Sequence, residues 1–79
     1  MKRDELKAFL QERQCKRFLD YINPKGTPAT KAFQQKLAWA KEHKEDTSHG
    51  EEASFLLEHR VPLRKLLLKE VSILAALQQ

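Results

Sequence analysis

The sequence predicts an all-α protein: a small single-domain helical bundle of three longer helices, with one short helix between the second and the last. Three observations lead there. Apolar residues recur at three- and four-residue steps, most clearly from Val61 to Leu77. The chain has only 2 Gly and 3 Pro, so helix breaks are few and can be located. Finally, 79 residues, 41% of them hydrophobic and 33% charged, suit one core over residues 1–79. Two cores in that length would each lack the area that offsets chain entropy.

Residues 3–22 contain neither Gly nor Pro and are rich in Lys, Arg, Glu, Gln and Leu, which predicts a helix. Its apolar face does not run straight. Leu6, Phe9 and Leu10 point one way, whereas Cys15, Phe18, Leu19 and Ile22 centre on nearly the opposite side at about 100° per residue. The helix either bends near Gln11 to Gln14 or packs its two ends on different neighbours. Arg13, Lys16 and Arg17 fall on the face that Leu6, Phe9 and Leu10 begin.

Asn23, Pro24, Lys25 and Gly26 form a break. Thr27 and Pro28 then read as N-cap and first helical residue, because the hydroxyl can accept a backbone N–H and Pro lacks one. The second helix runs from about Pro28 to Lys44 and buries Ala29, Ala32, Phe33, Leu37, Trp39 and Ala40. The polar stretch from Lys44 to Glu52 reads as the longest loop, with Thr47 or Ser48 as cap and Glu51 and Glu52 favourable to the helix dipole. A short helix holds Phe55, Leu56 and Leu57, and Pro62 ends or kinks it.

The last helix, Pro62 to Gln78, organises the rest. Leu63, Leu66, Leu67, Val71, Leu74 and Leu77 form one apolar stripe. Glu70 interrupts it, and an unpartnered buried carboxylate is costly. Glu70 must therefore be paired or reach solvent, with Arg13 and Arg17 as candidate partners. Leu68, Ile73 and Ala75 widen the apolar surface beyond one stripe, and are the candidate protein-contact residues.

The formal net charge is +4, unevenly placed. Arg13 to Lys41 holds seven cations against one carboxylate, Asp20. Arg13, Lys16, Arg17, Lys25 and Lys31 are the candidate nucleic-acid contacts. Lys31, Lys36 and Lys41 cannot form one stripe, since steps of five residues rotate by about 140°.

No catalytic pattern is present. Metal binding needs converging ligands, yet Cys15, His43, His49 and His59 show no C-x-x-C, H-x-x-x-H or H-E-x-x-H spacing. Cys15 shares the apolar side with Phe18 and Leu19 and reads as a small buried hydrophobe. Neither a phosphate-cradling Gly-rich loop nor a nucleophile elbow occurs. No cofactor, catalytic residue or metal ligand is expected. One cysteine excludes an internal disulfide framework, no signal-peptide pattern opens the chain, and no apolar run approaches a membrane span. The expectation is a cytoplasmic, non-enzymatic adaptor or regulator acting through protein–protein contacts and self-associating through its last helix. The alternative is a small basic nucleic-acid-binding protein.

Overall fold

The structure, a computed structural model, describes residues 3–78. Five helices follow in order: α1 (Arg3–Glu12), α2 (Phe18–Ile22), α3 (Ala29–His43), α4 (Gly50–Glu58) and α5 (Arg60–Leu77). The described residues contain no strand, so the fold is all-α. It has one helix more than the sequence suggests, because the expected first helix is two.

The break between α1 and α2 has a defined geometry. Gln14 adopts a left-handed φ of 58°, the Cys15 N–H donates to Leu10 O at 2.9 Å, and the Gln14 N–H donates to Gln11 O at 2.9 Å. This pair of bonds around one left-handed residue is a Schellman closure, which satisfies carbonyls that a helix end leaves free. The reversal of the apolar face near Gln14 therefore marks a stop and restart. Arg13, Lys16 and Arg17 consequently lie in a linker rather than along one helix face, contrary to the sequence expectation.

At five residues, α2 is too short to persist alone, since nucleation is unfavourable and few hydrogen bonds follow it. Its own N-cap residue, Arg17, contributes no side-chain cap. The cap comes from α5: the Phe18 N–H donates to Glu70 Oε1 at 2.9 Å and the Leu19 N–H to Glu70 Oε2 at 2.6 Å. Glu70 is thus paired inside the bundle, but with backbone rather than with Arg13 or Arg17. Those two cations engage other carboxylates, Glu52 and Asp20.

The start of α3 differs from expectation by one residue. Pro28 has φ −50° and ψ 130°, extended rather than helical, and is itself the N-cap, with no side-chain cap bond. The Thr27 carbonyl, not its hydroxyl, is engaged, accepting from Asn23 Nδ2. Neither Thr47 nor Ser48 caps α4; its N-cap is His49. Glu51 and Glu52 do occupy its first turn, favourable to the dipole. A single residue, His59, joins α4 to α5. Pro62 sits in the first turn of α5, where a missing N–H removes no helical bond, so α5 begins at Arg60 rather than Pro62.

The core gathers residues from all five helices: Phe9 and Leu10, Phe18 and Ile22, Phe33 and Ala40, Ala53 and Leu56, and Leu63 and Leu67. Phe18, Leu56, Leu63 and Leu67 are its largest fully enclosed side chains. Phe18 meets Phe33 edge-on at 5.8 Å, and Phe9 stacks on Phe55 at 4.2 Å and meets Tyr21 edge-on at 5.4 Å. Ala40 and Ala53, both fully buried, let α3 and α4 approach as the most extensively packed helix pair. The apolar stripe of α5 is covered over its first half only. Leu63 and Leu67 are buried and Leu66 and Leu74 half-buried, but Val71 and Leu77 are exposed.

Two predictions follow from the linker and the cap. Gln14→Gly relieves a left-handed strain of about 1–2 kcal/mol at the cost of greater freedom in the unfolded chain. The net expectation is a gain of about 0.5 kcal/mol, seen as a higher urea midpoint; a lower midpoint would refute the left-handed assignment. Glu70→Ala leaves two backbone donors unpartnered and should lower stability by about 2 kcal/mol, with Glu70→Gln losing about half as much. Equal midpoints for all three proteins would remove Glu70 as the cap of α2.

Candidate protein-interaction surface

The large apolar side chains that stand exposed are all on helix α5. Among the described residues these are Val61, Leu68, Val71, Ile73 and Leu77. They do not form one patch. From Leu68 to Ala75 is seven residues, a net turn of about 20°, whereas from Leu68 to Ile73 is five, about 140°. Val61, Leu68 and Ala75 thus share one strip, of which Val61 and Leu68 lie beside α3. Ile73 and Leu77 continue a second from half-buried Leu66. The sequence grouped Leu68, Ile73 and Ala75 as one contact set; all three are exposed, but Ile73 belongs to the other strip.

The strips are bare for different reasons. On the second, the rest of the fold does not reach the last turns of α5. Leu77 is 77% exposed and Ile73 51%, in a molecule 44 Å long but only 26 × 22 Å across. On the first, α3 is near enough to leave a recess: Phe33 and Leu37 lie opposite Val61 and Leu68 around a volume of about 410 Å³.

The candidate nucleic-acid residues are less available than their number suggests. Arg17 makes a two-point contact with Asp20, Nε at 3.2 Å and Nη2 at 2.9 Å. Arg13 Nε lies 3.5 Å from Glu52 Oε1. Lys16, Lys25 and Lys31 are exposed and stand in three places: the α1–α2 linker, the α2–α3 turn and the first turns of α3. The structure does not gather these five onto a single helix face.

Polar groups elsewhere serve the fold. His43 Nδ1 lies 2.6 Å from Asp46 Oδ2, and the His43 and His49 rings pack 4.9 and 5.6 Å from Trp39. Half-buried Cys15 donates to Arg13 O at 3.3 Å; desolvation, aided by the Asp20 charge, pushes its thiol above its ordinary value. A nucleophilic cysteine requires the reverse shift. No three His, Cys, Asp or Glu side chains among the described residues converge as a metal would require.

Glu52, the one buried carboxylate among the described residues, accepts from the Tyr21 hydroxyl and faces Arg13. Lys36 Nζ stands 4.8 Å from the Tyr21 ring centre and 4.3 Å from that of Trp39, within cation–π range. This cluster ties α2, α3 and α4 and the α1–α2 linker together, with Glu52 accepting a hydrogen bond from α2 and paired with the linker's Arg13. Sequence reasoning missed it, because Tyr21 and Glu52 are 31 residues apart and nothing local pairs them.

The Tyr21 phenol is pushed far above its ordinary value, first by burial, then by its hydrogen bond to Glu52 and by that carboxylate's charge. The folded state therefore keeps a proton that the unfolded chain releases near pH 10. Its stabilising contribution is complete below about pH 10 and declines as pH rises beyond it, at up to about 1.4 kcal/mol per pH unit. Tyr21 is the sole tyrosine, so phenolate absorbance reports it directly. Absorbance should rise together with loss of helicity on alkaline titration, and phenolate forming in a fully helical chain would contradict the shift.

No helix among the described residues is long and apolar enough to cross a membrane. No protein-family model matches the sequence, and no curated protein or solved structure is significantly similar to it.

Proposed function

We propose that the chain is a small non-enzymatic adaptor or regulatory domain that acts by protein–protein contact and self-associates through the end of α5. The observation that carries this reading is the second strip. Half-buried Leu66 leads to Ile73 and Leu77 on the same side of the helix, and the last two are more than half exposed. An apolar seam that the fold itself leaves uncovered is the kind of surface another molecule covers. Two copies of α5 laid across each other would do so isologously, each seam covering the other. A chain with one cysteine suits the cytosol, where thiols stay reduced.

Nucleic-acid binding is the competing reading. It draws on the net charge and on exposed Lys16, Lys25 and Lys31, but Arg13 and Arg17 already meet carboxylates. Phosphate contacts there would compete with those partners.

Sedimentation and circular dichroism on the parent and on Ile73→Glu test the proposal together. The parent should associate at concentrations on the order of 100 µM, as expected of a modest apolar interface. Ile73→Glu should be monomeric with its helical signal retained, because a charge at a half-exposed position stays hydrated in the monomer. A monomeric parent, or a variant that associates equally well, would defeat self-association. Tight, steeply salt-dependent binding of a duplex oligonucleotide, lost when Lys16, Lys25 and Lys31 become Gln, would favour the competing reading.

A further inference from the structure

The first strip of α5 does not stand alone. Its recess with α3 continues in both directions along α3. Past Leu37 it opens into a second recess of about 550 Å³ bounded by Lys41, Lys44, Leu57 and Arg60. The other way it meets a third of about 260 Å³, bounded by Thr30, Gln34 and Arg64 together with Phe33 and Leu37. All three share Leu37, so they form one groove with an aliphatic floor. From Thr30 to Lys44 it follows α3 for about 21 Å, the length of a helix of about four turns.

Its charge is one-sided. Lys41, Lys44, Arg60, Arg64 and Lys65 line the groove, and no Asp or Glu does. On α5, Arg64 and Lys65 flank the Val61–Leu68 line on its two sides, about 40–60° from its members. Arg60 is held by donating from Nη1 to Leu57 O at 2.7 Å. Val61 and Leu68 are 59% and 50% exposed, so they are available as floor rather than already covered.

We infer that this α3–α5 groove binds an amphipathic acidic helix of a partner protein, seating its apolar residues on Leu37, Val61 and Leu68 and its carboxylates on the five cations. A helix laid in a groove presents anchors at i, i+3 or i+4 and i+7, which suits a floor of this length. Complementary charge sets the register and speeds encounter. The floor argues against single-stranded nucleic acid, since Leu37, Leu57, Val61 and Leu68 offer no aromatic platform for stacking bases, and Phe33 is buried. It also argues against a second copy of this chain. The acidic helices α1 and α4 have their apolar residues Phe9, Leu10, Ala53 and Leu56 in the core, and the exposed face of α5 carries Arg64, Lys65 and Lys69. The inference rests on the reading of the chain as a protein-binding domain, but not on self-association.

Selection of a displayed library of random peptides of about 16 residues against the full chain tests it, followed by amide chemical-shift mapping and affinity measurement with the recovered peptide. The expected peptides are rich in Asp and Glu, with apolar residues at helical spacing, and they perturb Leu37, Arg64, Lys65 and Leu68. Arg64→Glu with Lys65→Glu, both exposed and so harmless to folding, should weaken binding by roughly tenfold or more. Ile73→Glu, on the opposite strip, should leave it unchanged. Failure to recover any peptide, or recovery of neutral or basic ones, would overturn the inference. So would mapping to Ile73 and Leu77, a result that would support the α5 seam as the protein contact. A single-stranded oligonucleotide that perturbs the same groove residues and displaces the peptide would assign the groove to nucleic acid instead.

Discussion

The carboxylate of Glu70 is the contact on which the bundle depends. It accepts the Phe18 and Leu19 N–H groups, and without it α2 would begin with two unpartnered donors near the core. Phe18, the first residue of α2, is completely enclosed, and its position requires that α2 start where it does. A charged group inside the apolar stripe of α5 thus fixes where a helix 52 residues away begins. The arrangement also offsets the penalty that a half-buried carboxylate would otherwise carry, because charge-assisted bonds to backbone N–H groups replace lost hydration.

The same bond divides α5 into two parts. N-terminal to Glu70, Leu63 and Leu67 are enclosed by α2, α3 and α4. C-terminal to it, the helix outruns its neighbours, and Ile73 and Leu77 stand exposed. A core of this size cannot bury both faces of an 18-residue helix. The helix that holds the fold together is therefore also the one with apolar surface to spare.

The cations separate in a comparable way. Arg13 and Arg17 engage Glu52 and Asp20; the exposed Arg17–Asp20 pair adds little stability, as surface pairs generally do. Lys41, Lys44, Arg60, Arg64 and Lys65 instead border an apolar groove without a carboxylate among its lining residues. Positive charge is functionally informative when it borders a surface of defined shape, whereas a density of cations along the sequence is not.

The sequence by itself determined the helical class, the break at Asn23 to Gly26, the short helix around Leu56 and the apolar stripe of the last helix, because periodicity, Pro and Gly act over a few residues. It also marked Glu70 as needing a partner and located the reversal of the first helix's face near Gln14. Only the tertiary structure decided that this reversal is a Schellman closure, that the partner of Glu70 is backbone, and that Thr27 does not cap α3. The same holds for the candidate interaction surface. Leu68, Ile73 and Ala75 were legible as surplus apolar residues, but their division into two strips depends on which side of α5 faces α3. Arg60, Arg64 and Lys65 come together with Lys41 and Lys44 only when α3 and α5 pack side by side. No spacing rule acts across the 16 or more residues that separate Lys44 from these α5 cations, and local periodicity carries no record of which helices become neighbours.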